Sequence, residues 1–356
     1  MRVLIVDDSV VARMLLRAVF EGEGYLVREA SSGDEALKVL LGFTPDIVTM
    51  DVHMPGMDGY ETTEHILERY PLPVVVLTAS ANAYAAATAM RALEAGALAV
   101  LEKPSGLDSP DFDERVAEVL RTLRSMAQVK IVRRPRRGNG EGPQQQSISQ
   151  LVAHAAHLSP KIVTIAASAG GPAALKSLLE RLQPPQPWPL VLVQHIAAGF
   201  LPSFREWLET LTHLPVVIAE DGQVLVPGRL YLAPDGHHLG FSSDRRVALD
   251  GGPLEELVRP SANFMFRSAA RHFGNQVIGI QLSGMGRDGA QGLAELHRAG
   301  ALTLVQEPAS AMIDSMPQAA IGLQAARQVL TTDAMAAVLN LIAERVASKG
   351  AGVGRE

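Results

Sequence analysis

Short, uninterrupted apolar runs alternate with stretches of helical period along most of the chain. Residues 3–6, 47–50, 74–77 and 98–101 are continuous apolar runs bounded by turn residues, the pattern of strands buried on both faces of a parallel sheet. Residues 27–29 make a weaker fifth strand. Between them, residues 9–21, 33–41, 58–70 and 82–95 have the length and apolar spacing of amphipathic helices, and a last helix over about 111–126 closes the unit. Strand–helix alternation of this kind predicts a doubly wound α/β domain.

From 127 to 157 the periodicity lapses. Arg133-Arg134-Pro135-Arg136-Arg137 runs into Gly138-Asn139-Gly140-Glu141-Gly142-Pro143 and then Gln144-Gln145-Gln146, a linker composition whose arginines read as solvated rather than docked. Alternation then resumes. Residues 161–166, 190–193, 277–282 and 301–305 read as strands, and 172–182, 199–211, 260–273 and 289–299 as helices. Residues 223–240, rich in Pro and Gly, are expected to hold short antiparallel pieces. The expected organisation is a first domain over 1–126, a linker over 127–157 and a second α/β domain over 158–348.

Composition narrows the function classes. A chain of 356 residues suits two domains at a prior of about 150 residues each. A hydrophobic fraction of 47% and a charged fraction of 20% are those of a folded globular protein. The net charge of −6 and the aromatic content of 4% argue against a dedicated nucleic-acid binder. There is no cysteine, so thiolate chemistry and disulfides are excluded. No apolar run nears the ~18 residues of a membrane span, so no membrane insertion is expected and the cytoplasm is the expected compartment.

Candidate chemistry lies just past predicted strand ends, the edge where open parallel sheets bind ligands. In the first domain Asp7 and Asp8 follow the first strand, Asp51 the third, Thr78 the fourth and Lys103 the fifth. Three carboxylates (Asp7, Asp8 and Asp51) make an oxygen-rich pocket suited to Mg²⁺, which would screen an incoming phosphoryl group so that one Asp could attack phosphorus. Lys103 could then pair with the new phosphate and the Thr78 hydroxyl donate to it. Acids at strand ends also cap helices, but five complementary residues at one edge argue for a phosphoacceptor site. Val6-Asp7-Asp8-Ser9, the run from Met50-Asp51 to Asp58-Gly59, Leu77-Thr78-Ala79 and Lys103-Pro104 together resemble the motif set of two-component receiver domains over about 1–125. That resemblance implies a flavodoxin-like fold, a histidine kinase as phosphodonor, Asp51 as acceptor, and Mg²⁺ at Asp7, Asp8 and Asp51. Val100 departs from it, standing where many receivers carry an aromatic switch residue, and His53 lies where it could tune phosphate lifetime.

In the second domain a strand delivers Ala167-Ser168-Ala169-Gly170-Gly171-Pro172, a glycine turn opening a helix with Pro at its start. Such a turn exposes a hydroxyl and aims backbone N–H groups at an oxyanion, though a serine there alone reads as a helix cap. A second strand ends in His195, which could shuttle protons near neutrality, though a strand-end histidine alone reads as structural; His237-His238 are expected in a loop. A third runs into Ser283-Gly284-Met285-Gly286-Arg287-Asp288-Gly289, where Asp288 could orient His195 or merely cap the next helix. The order Ser…His…Asp differs from that of the α/β-hydrolases, so a separate doubly wound α/β hydrolase fold is expected, outside that superfamily.

These stretches, with Gln194-His195-Ile196, Leu230-Tyr231-Leu232-Ala233-Pro234, Arg259-Pro260-Ser261 and Phe266-Arg267-Ser268, resemble the chemotaxis response-regulator methylesterases, the CheB family, across both domains. The resemblance implies Ser168 as nucleophile, His195 as general acid/base and Asp288 as orienting carboxylate, with Gly170 and the Met285 loop as oxyanion support. It implies hydrolysis of glutamyl methyl esters on chemoreceptor helices, glutamine deamidation as a second reaction, no cofactor for the esterase, and restraint by the unphosphorylated receiver. Ala166, Ala169 and Ala197-Ala198 depart from the family pattern near the nucleophile and after the histidine. The competing expectations are an esterase or amidase of a non-flagellar chemosensory pathway, and a catalytically weak receptor-binding regulator. A DNA-binding regulator is the poorest fit.

Overall fold

A computed structural model describes residues 1–78, 83–104, 106, 109, 111–129, 131, 151, 159–197 and 199–352, with the backbone only for 83–87 and 349–352. Its contacts divide the chain into two units, Met1–Arg133 and Arg134–Glu356. The expected linker falls outside the described residues except at 127–129, 131 and 151, and so do Ala79, Asn82, Ala198 and the arginines of the run 133–137.

In the first unit a sheet of parallel strands, β1 (Arg2–Val6), β2 (Leu26–Ala30), β3 (Ile47–Met50), β4 (Val74–Thr78) and β5 (Ala99–Glu102), has the order β2-β1-β3-β4-β5. Helices α1 (Val10–Gly22), α2 (Gly33–Val39), α3 (Gly59–Arg69), α4 (Ala83–Ala95) and α5 (Phe112–Met126) alternate with the strands. Every residue of β3 and β4 is buried, including Thr49 and Thr78, as the largely apolar composition of these strands requires when both faces are covered. Ser9, Ser32 and Asp58 start α1, α2 and α3 by accepting the N–H of Ala12, Glu35 and Glu61, so each strand hands over to its helix within a few residues. Val3, Ile5, Phe20, Val75 and Leu123 belong to the core. The register pairs Val6 with Met50, so the residues that follow, Asp7 and Asp51, leave the sheet side by side where the strand order reverses.

The second unit is also a parallel sheet with helices between its strands. Its strands are β6 (Ile162–Ala167), β7 (Leu190–Gln194), β8 (Val216–Ile218), β9 (Leu230–Leu232), β12 (Val277–Gln281), β13 (Leu302–Gln306) and β14 (Gln328–Leu330), in the order β14-β13-β12-β6-β7-β9-β8. The helices are α6 (Gly171–Leu179), α7 (Leu201–Leu211), α8 (Ala262–Phe273), α9 (Ala290–Arg298), α10 (Ser315–Gly322) and α11 (Thr332–Gly352). The expectation of short antiparallel pieces over 223–240 is met by residues 238–240 and by an isolated antiparallel bridge of Val224 with Arg246. Leu230–Leu232 joins the main sheet parallel to both β7 and β8. The antiparallel pair is β10 (His238–Phe241) with β11 (Val247–Asp250), so the piece that begins inside the predicted stretch finds its partner just past it. A three-residue strand bracketed by Gly and Pro carries no local mark of its direction; its distant partners set it. Among the described residues no helix is long and apolar enough to cross a membrane.

Candidate functional site

β12, β6 and β7 are neighbours, and in register their ends align Gln281 with Ala166 and Ala167 with Gln194. Ser168 follows β6, His195 follows β7 and Asp288 lies in the loop after β12, so the strand order alone brings the three predicted residues to one edge.

Ser168 is buried in a turn that its neighbours fix through the backbone. Its N–H donates to the Ser283 carbonyl at 3.0 Å, and its carbonyl accepts from the Gly171 N–H at 2.7 Å. The Gln194 side-chain amide donates to that carbonyl at 3.0 Å and to the His195 carbonyl at 2.9 Å, tying the serine turn to the histidine. Gly170 takes a φ of 73°, and a Cβ there would stand 2.6 Å from Ser283 Oγ and 2.8 Å from Met312 Cβ. Both conformation and space therefore demand glycine at this turn. The Ser283 hydroxyl lies 3.1 Å from the carbonyls of Ala169 and Ile313 and accepts the Ile313 N–H at 3.0 Å. The loop at Ala169 is thus held through its carbonyl.

His195 Nε2 lies 3.0 Å from Asp288 Oδ2. Asp288 is only 3% exposed, and its carboxylate is enclosed by donors from the start of α8. Ala262 N–H donates to Oδ2 at 2.6 Å, while Asn263 N–H at 3.0 Å and the Ser261 hydroxyl at 2.8 Å donate to Oδ1. Burial pushes this carboxyl upward, but the His195 bond and charge, with the N–H groups of Ala262 and Asn263, outweigh it and hold the group below its ordinary range. The acid does sit at a helix N-terminus, but that of α8 rather than of the helix that follows it. Met285 is half-buried and lines a cavity of about 390 Å³ with His195, Glu256, Val258, Gly286, Arg287 and Asp288.

Four residues escaped prediction as parts of this site: Gln194, Ser261, Ser283 and Gly284. Gly284 packs on the serine itself, since a Cβ there would stand 2.8 Å from Ser168 Cβ and would also meet the Met316 sulfur. Ser261 carried a legible signal, a serine just before a helical period. His238 corrects the loop expectation: it opens β10, is 1% exposed, accepts the Ser261 N–H on Nδ1 at 3.1 Å and meets the Pro253 carbonyl through Nε2 at 2.8 Å.

In the first unit Asp7, Asp8 and Asp51 offer carboxylate oxygens all within 4.8 Å of one another. Lys103 Nζ lies 2.7 Å from Asp7 Oδ2 and 3.0 Å from Asp51 Oδ1. Burial, reinforced by the neighbouring Asp7 charge, pushes the Asp51 carboxyl up against the pull of Lys103. Burial also works to lower Lys103, but its bonds to Asp7 and Asp51 prevail and raise it. Burial thus accounts first for the Asp51 direction and the two carboxylates for that of Lys103, and one ammonium among three carboxylates leaves the pocket with an excess of negative charge. The oxygen-only donor set and its spacing fit a small hard divalent ion. Thr78 is buried at the end of β4, its carbonyl accepting the Lys103 N–H at 2.8 Å. Val100 is buried on β5, and His53 is exposed.

Comparison with known proteins places both units. A family model described as CheB methylesterase matches residues 163–339, and one for the response regulator receiver domain matches residues 3–112. A protein-glutamate methylesterase/protein-glutamine glutaminase of Hahella chejuensis is 47% identical over 96% of this chain and 98% of its own. One from Methanospirillum hungatei is 39% identical over 97% of this chain and 99% of its own. The crystal structure of the Thermotoga maritima CheB methylesterase catalytic domain is 32% identical, with a TM-score of 0.49, over 51% of this chain and 98% of that one.

Proposed function

Because the chain belongs to the CheB family of protein-glutamate methylesterases, we propose that Ser168 is its nucleophile, His195 its general acid/base and Asp288 the carboxylate that orients the imidazole. The protein is a phosphorylation-controlled methylesterase and glutaminase of chemotaxis, built as a receiver domain with a catalytic domain. We read residues 1–126 as the receiver, 127–157 as the linker and 158–348 as the catalytic domain, working in the cytoplasm on the helices of methylated chemoreceptors.

One observation carries the assignment of roles: His195 gives Nε2 to an Asp288 already saturated by the start of α8. A carboxylate fixed in this way holds Nε2 as the protonated nitrogen, which leaves Nδ1 to take the Ser168 proton. Ser168 Oγ attacks the γ-carbonyl carbon of the esterified glutamate while its proton passes to His195 Nδ1. Backbone N–H groups of the Gly170 turn and the Met285 loop receive the oxyanion. Collapse of the tetrahedral intermediate expels methanol, protonated by His195, and leaves a glutamyl ester on Ser168. Water, deprotonated by the same imidazole, then releases the glutamate carboxylate. With glutamine the first leaving group is ammonia. Asp288 stays ionised throughout and stabilises the imidazolium that forms in each half-reaction.

In the receiver, Asp51 accepts a phosphoryl group from a histidine kinase, with Lys103 and the Thr78 hydroxyl as partners for the phosphate. Asp7, Asp8 and Asp51 would hold Mg²⁺, which when bound screens carboxylate and phosphoryl charge from one another.

Methanol release from a methylated chemoreceptor, compared between wild type and Ser168→Ala, tests the catalytic reading. Loss of at least about 10³-fold is expected. Equal rates would remove Ser168 from the mechanism and favour a receptor-binding regulator without hydrolysis.

A further inference from the structure

The loop joining β11 to α8 borders the catalytic cavity and is held with unusual care. Arg259 Nη1 binds the carbonyls of Gly251 at 2.8 Å and Gly252 at 2.5 Å. His238 accepts from the Ser261 N–H, so its other nitrogen carries the proton it gives to the Pro253 carbonyl. Glu255 and Val258 then exchange two backbone hydrogen bonds, 3.2 and 2.9 Å, closing a two-residue hairpin turn. Its central residues, Glu256 and Leu257, have φ of 48° and 66°. Two successive left-handed residues define the turn type that asparagine–glycine suits best, and a leucine there is strained. Ion pairs pin the turn on both sides, Glu255 to Arg267 and Glu256 to Arg287, the latter at 2.9 Å.

What this apparatus presents to solvent is an apolar side chain. Leu257 is 89% exposed and Leu254, on the same loop, 56%, so packing against the described residues does not offset the strain. Glu256 and Val258, the residues on either side of Leu257, line the cavity that holds His195 and Asp288. A cavity of about 390 Å³ admits an esterified glutamate side chain but not the polypeptide that bears it. That polypeptide must cross the rim, and the turn is part of the rim.

We propose that Leu257 is a specificity-determining contact for the protein substrate: it seats an apolar side chain neighbouring the esterified glutamate and so sets the ester against His195. This rests on the hydrolase reading given above. A projection already rigid before binding loses little conformational freedom when it is covered, which is what the strain and the anchors secure.

The test uses the full chain and two substrates, a methylated chemoreceptor cytoplasmic fragment and a free N-acylated glutamate γ-methyl ester. The quantity read is the ratio of kcat/KM for the receptor to that for the small ester. In Leu257→Ser and Leu257→Gly this ratio should fall about tenfold, through KM for the receptor, as expected for loss of one apolar contact, while Leu257→Met should keep it. Leu257→Gly should at the same time raise Tm, because glycine accepts the φ without strain. An unchanged ratio in both the Ser and Gly variants overturns the proposal, whether the two rates stay constant, fall together or rise together. Ser168→Ala runs in parallel: if it keeps wild-type rates on both substrates, the hydrolase reading has failed, and the Leu257 ratio is then judged separately by receptor binding alone.

Discussion

Asp288 Oδ2 serves two donors at once, the Ala262 N–H and the His195 ring, and this makes an amide a poor substitute for the acid. In Asp288→Asn, an oxygen kept at the Oδ2 position turns the new NH₂ toward the Asn263 N–H, and the reverse orientation turns it toward the Ala262 N–H and His195. Either orientation breaks one bond, and an NH₂ aimed at Nε2 moves the ring proton to Nδ1, where it can no longer receive one from Ser168. A fall in kcat of about 10⁴ is expected with little change in KM, by analogy with the same change in other serine triads. The same carboxylate couples stability to pH. Its folded pKa lies below the ordinary 3.8, so its contribution is fully present above that value and is lost as pH falls through the folded one. Thermal melts taken downward past pH 3.8 should therefore show a steeper acid decline for wild type than for Asp288→Asn. Parallel declines would mean that folding does not lower this carboxyl's pKa.

The loop after β12 contains glycines that do different work, and two substitutions separate it. Gly286 has φ of 92° and open space around it, so Gly286→Ala should cost about 1–2 kcal/mol of backbone strain and, although the residue borders the cavity, lower kcat far less than Gly284→Ala. Gly284 has no left-handed φ; its hydrogen faces Ser168 Cβ and Met316. Gly284→Ala should displace the serine, lowering kcat about 10²-fold, with an overpacking penalty of about 1–3 kcal/mol. Urea denaturation together with ester kinetics on both variants checks the contrast, and similar kcat losses would refute it. This loop also shows how far the sequence could be read. Ser168 and His195 were legible because each directly follows an apolar strand, and Asp288 because it is the one acid in the glycine-rich loop after a third; position past a strand end is a local signal. Gln194, Ser283 and Gly284 were not, because their roles depend on which strands are neighbours: β12 beside β6 and β6 beside β7 are pairings across long stretches of chain. The direction of β9 was not legible for the same reason. His238 was placed in a loop because Pro and Gly flank it, whereas its burial comes from Pro253 and Ser261, which arrive from later in the chain.

At the scale of the whole chain, two units with separate cores carry separate chemistry, and regulation must pass as a free-energy difference between states of the joined protein. The Asp51–Lys103 pairing describes the unphosphorylated pocket; a phosphoryl group on Asp51 would add negative charge beside an ammonium already shared with Asp7. Such a change can bias an existing equilibrium only by its differential stabilisation of the active state, about 1–3 kcal/mol or 5–150-fold in typical couplings. If the unphosphorylated receiver restrains the hydrolase, deleting residues 1–130 removes the restraint completely, whereas phosphorylation relieves it in part or in full. The truncated enzyme should then exceed the basal activity of the full chain, and a small-molecule phosphodonor with Mg²⁺ should bring the full chain toward the truncated rate but not past it. Methanol release measured for both forms, with and without phosphodonor, decides the sign of the coupling. A folded truncation no faster than the resting full chain would rule out restraint. A phosphorylated full chain faster than the truncation would instead require the receiver to contribute positively to catalysis, by binding the substrate or by ordering the catalytic loops.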